Sequence, residues 1–129
     1  MRREPNRGLS VYCDAMFNEK VLAHFKEPHN AGELSDASYV AQVSNPVCGD
    51  VMKLSVRLEG ERIAAACFKA QGCVPSIAAG SALTDLLLGK TMAEANKITA
   101  QNVSGELGGL PEASFHAAEL CCDAVAALR

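Results

Sequence analysis

The chain has 129 residues, 49% of them hydrophobic, which suits one globular domain and excludes a disordered chain. A net charge of −3 gives no reason to expect nucleic acid or an anionic membrane, and no apolar run reaches the ~18–20 residues that span a bilayer. Six cysteines without a CxxC pair argue against a zinc ribbon or a thioredoxin-type redox pair, and nothing marks the chain as secreted and disulfide-bonded.

In chain order, residues 1–11 carry Arg2, Arg3 and Arg7 without a following apolar stretch. They read as a solvated tail ahead of one domain over residues 12–129, in a cytoplasmic protein. Phe17 to Phe25 has apolar residues near helical spacing and stops before the turn-forming Pro28-His29-Asn30-Ala31-Gly32. Tyr39 to Val43 is the first predicted strand. From Val51 to Leu58 the alternation predicts a half-buried strand, with Met52, Leu54, Val56 and Leu58 on one face and Lys53, Ser55 and Arg57 on the other. Glu59-Gly60-Glu61 turns the chain, and Ile63 to Ala70 returns as a third strand.

The second half reads as helical. Pro75 suits a first helical turn, and Ile77 to Leu88 is apolar up to Gly89-Lys90. Thr91-Met92-Ala93-Glu94 is a capping box that opens another helix, and Pro111 starts a last one through Phe115, Leu120, Val125 and Leu128. The abundance of alanine and scarcity of aromatic residues point to closely packed helices. The order predicts an α+β domain: a three-stranded antiparallel sheet with helices packed on one face.

Four groups that bind borderline or soft metals fall at element ends in this layout. Cys48 and Asp50 flank Gly49 between the first two strands, Cys73 precedes a helix N-terminus whose amides favour a thiolate, and His116 begins the last helix. If they meet, they make one tetrahedral site. Singly, each has an ordinary reading. Either thiol can be a buried apolar residue, Asp50 a turn residue and His116 a hydrogen-bonded helix residue.

From about Tyr12 to Arg129 the chain resembles the IscU/NifU N-terminal-domain family of iron–sulfur cluster scaffolds. The resemblance is carried by Val21-Leu22-Ala23-His24-Phe25 with Pro28-His29-Asn30-Ala31-Gly32, by Cys48-Gly49-Asp50-Val51-Met52-Lys53-Leu54, and by Phe68-Lys69-Ala70-Gln71-Gly72-Cys73 with Ser76-Ile77-Ala78-Ala79. Gly89-Lys90-Thr91 and the helix beginning Phe115-His116 continue it. It implies an IscU/SufE-like fold and puts Cys48, Asp50, Cys73 and His116 on the family's ligand positions. It further implies a transient 2Fe–2S cluster, or iron or zinc, at that site. The partners it implies are a cysteine desulfurase that delivers sulfur and apoproteins that accept the cluster.

The chain departs from the pattern at four places. Ala117 stands where the family carries a third cysteine. Cys121 and Cys122, five and six positions after His116, fall roughly 120–140° away on a helix and ~7–9 Å further along, which predicts core residues. Val74-Pro75 replaces a small Gly-Ser pair, which predicts a stiffer loop. Leu110-Pro111-Glu112-Ala113-Ser114 lacks the lysine and second proline recognised by the dedicated Hsp70-type chaperone, which argues against that partnership. Cys13 and Cys67 are extra thiols with a packing role. The readings that compete with a scaffold or carrier are a zinc-dependent sulfur acceptor of the SufU type and a structural zinc domain or assembly regulator without sulfur chemistry. The chain shows no clear SufU-type insertion before the last helix.

Overall fold

The computed structural model describes residues 17–45 and 49–128; the tail expected over residues 1–11, Cys13 and Cys48 lie outside the described residues. Helix α1 (Glu19–Lys26) leads into strands β1 (Tyr39–Asn45), β2 (Asp50–Glu59) and β3 (Arg62–Gln71). Helices α2 (Val74–Leu87), α3 (Met92–Ala95) and α4 (Ala100–Glu106), a 3₁₀ turn (Glu112–Ser114) and helix α5 (His116–Ala126) follow. The sheet is antiparallel in the order β1-β2-β3, with Asn45 opposite Asp50 and Val51 opposite Gln71 at one end. The predicted α+β architecture is the one observed.

The alternation in β2 sets the core. Met52, Leu54 and Val56 are fully buried, and with Ala41, Ile63, Ala66 and Phe68 they form the inner face of the sheet. Against it lie Ala78, Ala79, Ala82 and Leu83 of α2 and Ala117, Ala118, Leu120 and Cys121 of α5, all buried. Small side chains let these backbones approach closely. A Cβ on Gly80 would lie only 2.6 Å from Cε2 of Phe68, so α2 rests on that ring.

Ser55 departs from the alternation: it belongs to the outer face yet is buried. The chain between α1 and β1 crosses that face. Leu34 donates its backbone N–H to Ser55 Oγ, Glu33 pairs with Lys53 at 2.6 Å, and Asp36 lies 3.4 Å from Arg57. The free edge of β3 is also covered. Phe68 exchanges backbone hydrogen bonds with Asn30 and Gly32, and Ile63 does so with Gly89 and Lys90. Such cover removes a template for edge-to-edge aggregation.

Three helical boundaries differ from the sequence reading, each for a local reason. Helix α1 starts at Glu19 because Asn18 caps it, its side chain accepting from the Val21 amide. The capping box at Thr91 and Glu94 forms, but the helix it opens is one turn long. A second box, Thr99 with Asn102, then opens α4. Phe115 links the 3₁₀ turn to α5, so the last helix begins at His116 rather than at Pro111.

Candidate metal centre

Asp50, Cys73 and His116 come from three separate elements and meet at one end of the sheet, one donor atom of each lying within 4.8 Å of the others. The strand register explains the meeting. Asp50 is the first residue of β2, and the end of β3 runs beside it, so the β3–α2 turn carries Gly72 and Cys73 past its carboxylate. Gly72 permits that approach. Its φ is +152°, and a Cβ there would lie 2.7 Å from Asp50 Cγ. Gly72→Ala is therefore expected to displace the Asp50 side chain and weaken zinc binding by about 10–100-fold, as loss of ligand support does. Competition with a chromophoric chelator measures it, and unchanged affinity would refute the role given to this glycine.

Cys73 occupies the cap position of α2, but its thiol makes no capping hydrogen bond. The backbone carbonyl of Cys73 accepts from the Ser76 and Ile77 amides instead. The exposed side chain is thereby left for the site, with Sγ 3.6 Å from Asp50 Oδ2 and 3.4 Å from Ser76 Oγ.

Asp50 is 2% exposed, and among the described residues its carboxylate accepts from the Ser76 hydroxyl, at 2.5 Å from Oδ2, and from the Cys73 thiol. No arginine or lysine neutralises it within ion-pair distance among the described residues; its only ion-pair neighbour there is His116, Nε2 to Oδ2, at 3.4 Å. That pair lacks hydrogen-bond geometry, and Nε2 is buried without a hydrogen-bond partner.

The tautomer of His116 explains the orphaned atom. Nδ1 lies 3.3 Å from the carbonyl oxygen of Ala113. A carbonyl can only accept, so Nδ1 carries a proton, and when the ring is neutral Nε2 presents a lone pair. In that tautomer a lone pair and a buried carboxylate face each other, and a cation between them satisfies both. A backbone carbonyl behind the distal nitrogen is also the usual support for a metal-binding histidine. The donor set of thiol, carboxylate and imidazole suits iron or zinc.

The site is open on one side. Cys73 is exposed, and His116 lies at the junction of two surface grooves of about 590 and 220 Å³. Buried Asp50 anchors the set while the thiol stays reachable.

The other described cysteines face elsewhere. Cys121 is fully buried with Sγ 3.9 Å from Met52 Sδ, and burial pushes its thiol well up from the usual range. Cys122 is half-buried and donates to the Ile98 carbonyl at 3.6 Å; burial, then Asp123 and Glu119, raises its thiol as well. Cys67 is half-buried and likewise raised by burial. Cys121 is the core residue expected, whereas Cys122 and Cys67 are only half-buried and stand outside the core, and Ala117 is itself fully buried. Ser76 was not singled out from sequence. Its signal is the spacing Cys-x-x-Ser across a helix start, which places a hydroxyl over the same carboxylate.

A family model described as NifU-like N terminal domain matches residues 16–128. The chain is 42% identical over 110 residues to iron–sulfur cluster assembly scaffold protein IscU 1 of Archaeoglobus fulgidus, covering 85% of this chain and 72% of that protein. It is also 42% identical over 106 residues to the protein named IscU of Aquifex aeolicus, covering 81% and 68%. Among solved structures, a crystal structure of a hypothetical protein superposes with a TM-score of 0.58 at 32% identity, over 83% of this chain and 79% of that one. FiSufU from Fervidobacterium islandicum AW-1 superposes with a TM-score of 0.62 at 24% identity, over 87% and 83%, and bears on the fold alone.

Proposed function

The chain belongs to the NifU-like N-terminal domain family, and from that premise we propose that it is an iron–sulfur cluster assembly scaffold, a binding protein rather than an enzyme. Its cargo is a 2Fe–2S cluster held by Cys48, Asp50, Cys73 and His116, with zinc as an alternative occupant. The carrying observation is the convergence of Asp50, Cys73 and the orphaned His116 Nε2. Cys48, two residues before Asp50 in sequence, supplies the fourth donor in this reading.

A scaffold has to hold its cargo and then release it. Thiolates supply affinity for iron, and carboxylate and imidazole are the more easily displaced ligands. The geometry brings both kinds of ligand together, an exposed thiol on the open side with a carboxylate and an imidazole behind it. The partners that follow are a cysteine desulfurase as sulfur source and apoproteins as acceptors, in the cytoplasm. No helix among the described residues is long and apolar enough to cross a membrane.

Anaerobic reconstitution with ferrous iron, cysteine and a cysteine desulfurase tests the proposal. The expected result is a visible chromophore that depends on both iron and sulfide and is lost in Cys48→Ala. A colourless protein carrying stoichiometric zinc would overturn it.

A further inference from the structure

A second group of metal-binding side chains lies away from this centre, between α1 and α2. His24 is in the last turn of α1, His29 in the turn after it, and Asp85 near the end of α2. One donor atom of each lies within 4.8 Å of the others. The two rings stand 4.7 Å apart between centroids and are tilted by 54°. Twelve positions of helix separate Asp85 from Cys73, about 18 Å at the α-helical rise, so no ligand is shared with the first centre.

The three side chains are held from behind. Ser81, fully buried, lies with Oγ 2.6 Å from His24 Nδ1 and accepts the His29 backbone N–H at 2.8 Å. When His24 Nδ1 donates to that oxygen, Nε2 is left with a lone pair, the arrangement usual for a metal-binding histidine. Asn30 Nδ2 lies 3.4 Å from Asp85 Oδ1 and 3.1 Å from Thr84 Oγ1, while Asp85 Oδ2 lies 2.7 Å from His29 Nδ1. Burial and then the neighbouring His29 lower the pKa of the His24 ring from the usual histidine value.

Hydrogen bonds alone would suffice to pin the turn onto α2. They do not call for a second imidazole beside the first, with a carboxylate in reach and an open approach. His29 and Asp85 keep 55% and 32% of their side-chain surface exposed. Two imidazoles and one carboxylate with free positions are a donor set for ferrous iron and its neighbours in the first transition row, and here no thiolate takes part.

We propose that His24, His29 and Asp85 form a second site, free of sulfur ligands, for a divalent first-row transition-metal ion. Anaerobic titration of the full chain with Co²⁺ separates it from the cluster centre. Cobalt on Cys73 gives intense thiolate charge transfer, whereas cobalt on nitrogen and oxygen donors gives only weak d–d bands. The parent chain is expected to bind an additional equivalent without charge transfer. His29→Asn and Asp85→Asn, substitutions at exposed or half-exposed positions, should each weaken that binding at least about tenfold and leave the charge-transfer titration unchanged. Cys73→Ala should do the converse. Thiolate-free binding that is absent from the parent chain, or that keeps its affinity in both asparagine variants with unaltered circular dichroism, would overturn the proposal.

Discussion

Cys73→Ala is expected to bind zinc more than about a hundredfold more weakly than the parent chain, beyond the 10–100-fold that loss of an outer-shell partner costs. Its unfolding midpoint in urea should hardly move. The two halves of this result rest on different observations. The thiol is exposed and makes no capping hydrogen bond to α2, so the apoprotein loses little packing with it. Its sulfur nevertheless lies 3.6 Å from a carboxylate that no lysine or arginine among the described residues neutralises. Ser76→Ala supplies the internal comparison. It leaves every proposed ligand in place but removes the hydroxyl that donates to Asp50 Oδ2, so its loss should fall inside the 10–100-fold window. Competition with a chromophoric chelator gives both affinities. Zinc binding by Cys73→Ala as tight as that of the parent chain would remove Cys73 from the ligand set.

The parts of this molecule that could be read from sequence are those with a short-range physical signature. Met52, Leu54 and Val56 repeat with period two, and the strand they predict is observed with all three buried. Thr91 and Glu94 fit the capping-box pattern, and both reciprocal hydrogen bonds form. Thr99 with Asn102 does the same work through an asparagine at the third position, outside the usual Glu or Gln, so α4 was not separated from the helix before it. Ser55 could not be read as buried, because its cover comes from residues 33–38, which have no periodicity of their own.

The candidate centre divides along the same line. Asp50, Cys73 and His116 are recognisable from residue type and motif, yet their meeting depends on the β2–β3 register and on the missing side chain of Gly72. The group of His24, His29 and Asp85 has ligands more than 50 positions apart in sequence, as the His29 to Asp85 contact shows, and Pro28-His29-Asn30 reads locally as nothing but a turn. Helix-on-helix packing makes that cluster, and packing leaves no local trace.

Phe68→Ala should lower the unfolding free energy by about 3–5 kcal/mol, a large part of the ~5–15 kcal/mol that holds a typical domain together. Phe68 is 2% exposed, stands opposite Leu54 in the sheet and carries α2 at Gly80. Its backbone bonds to Asn30 and Gly32 survive the substitution, so the loss comes from the ring and the cavity it leaves. Gly80→Ala alone is also expected to destabilise. Alanine gains about 1 kcal/mol over glycine in a helix, but a Cβ 2.6 Å from Cε2 of the ring has to be accommodated, at roughly 1–3 kcal/mol. In the Phe68→Ala background the ring is gone and only the helical gain remains. Gly80→Ala should therefore change sign there and stabilise by about 0.5–1 kcal/mol. Urea unfolding of the four chains in this double-mutant cycle measures the coupling, and additive effects would mean that α2 does not rest on Phe68. Because Cys73 stands at the cap position of α2, loosening the helix's seat should also weaken zinc binding in Phe68→Ala, and Gly80→Ala should restore part of that loss.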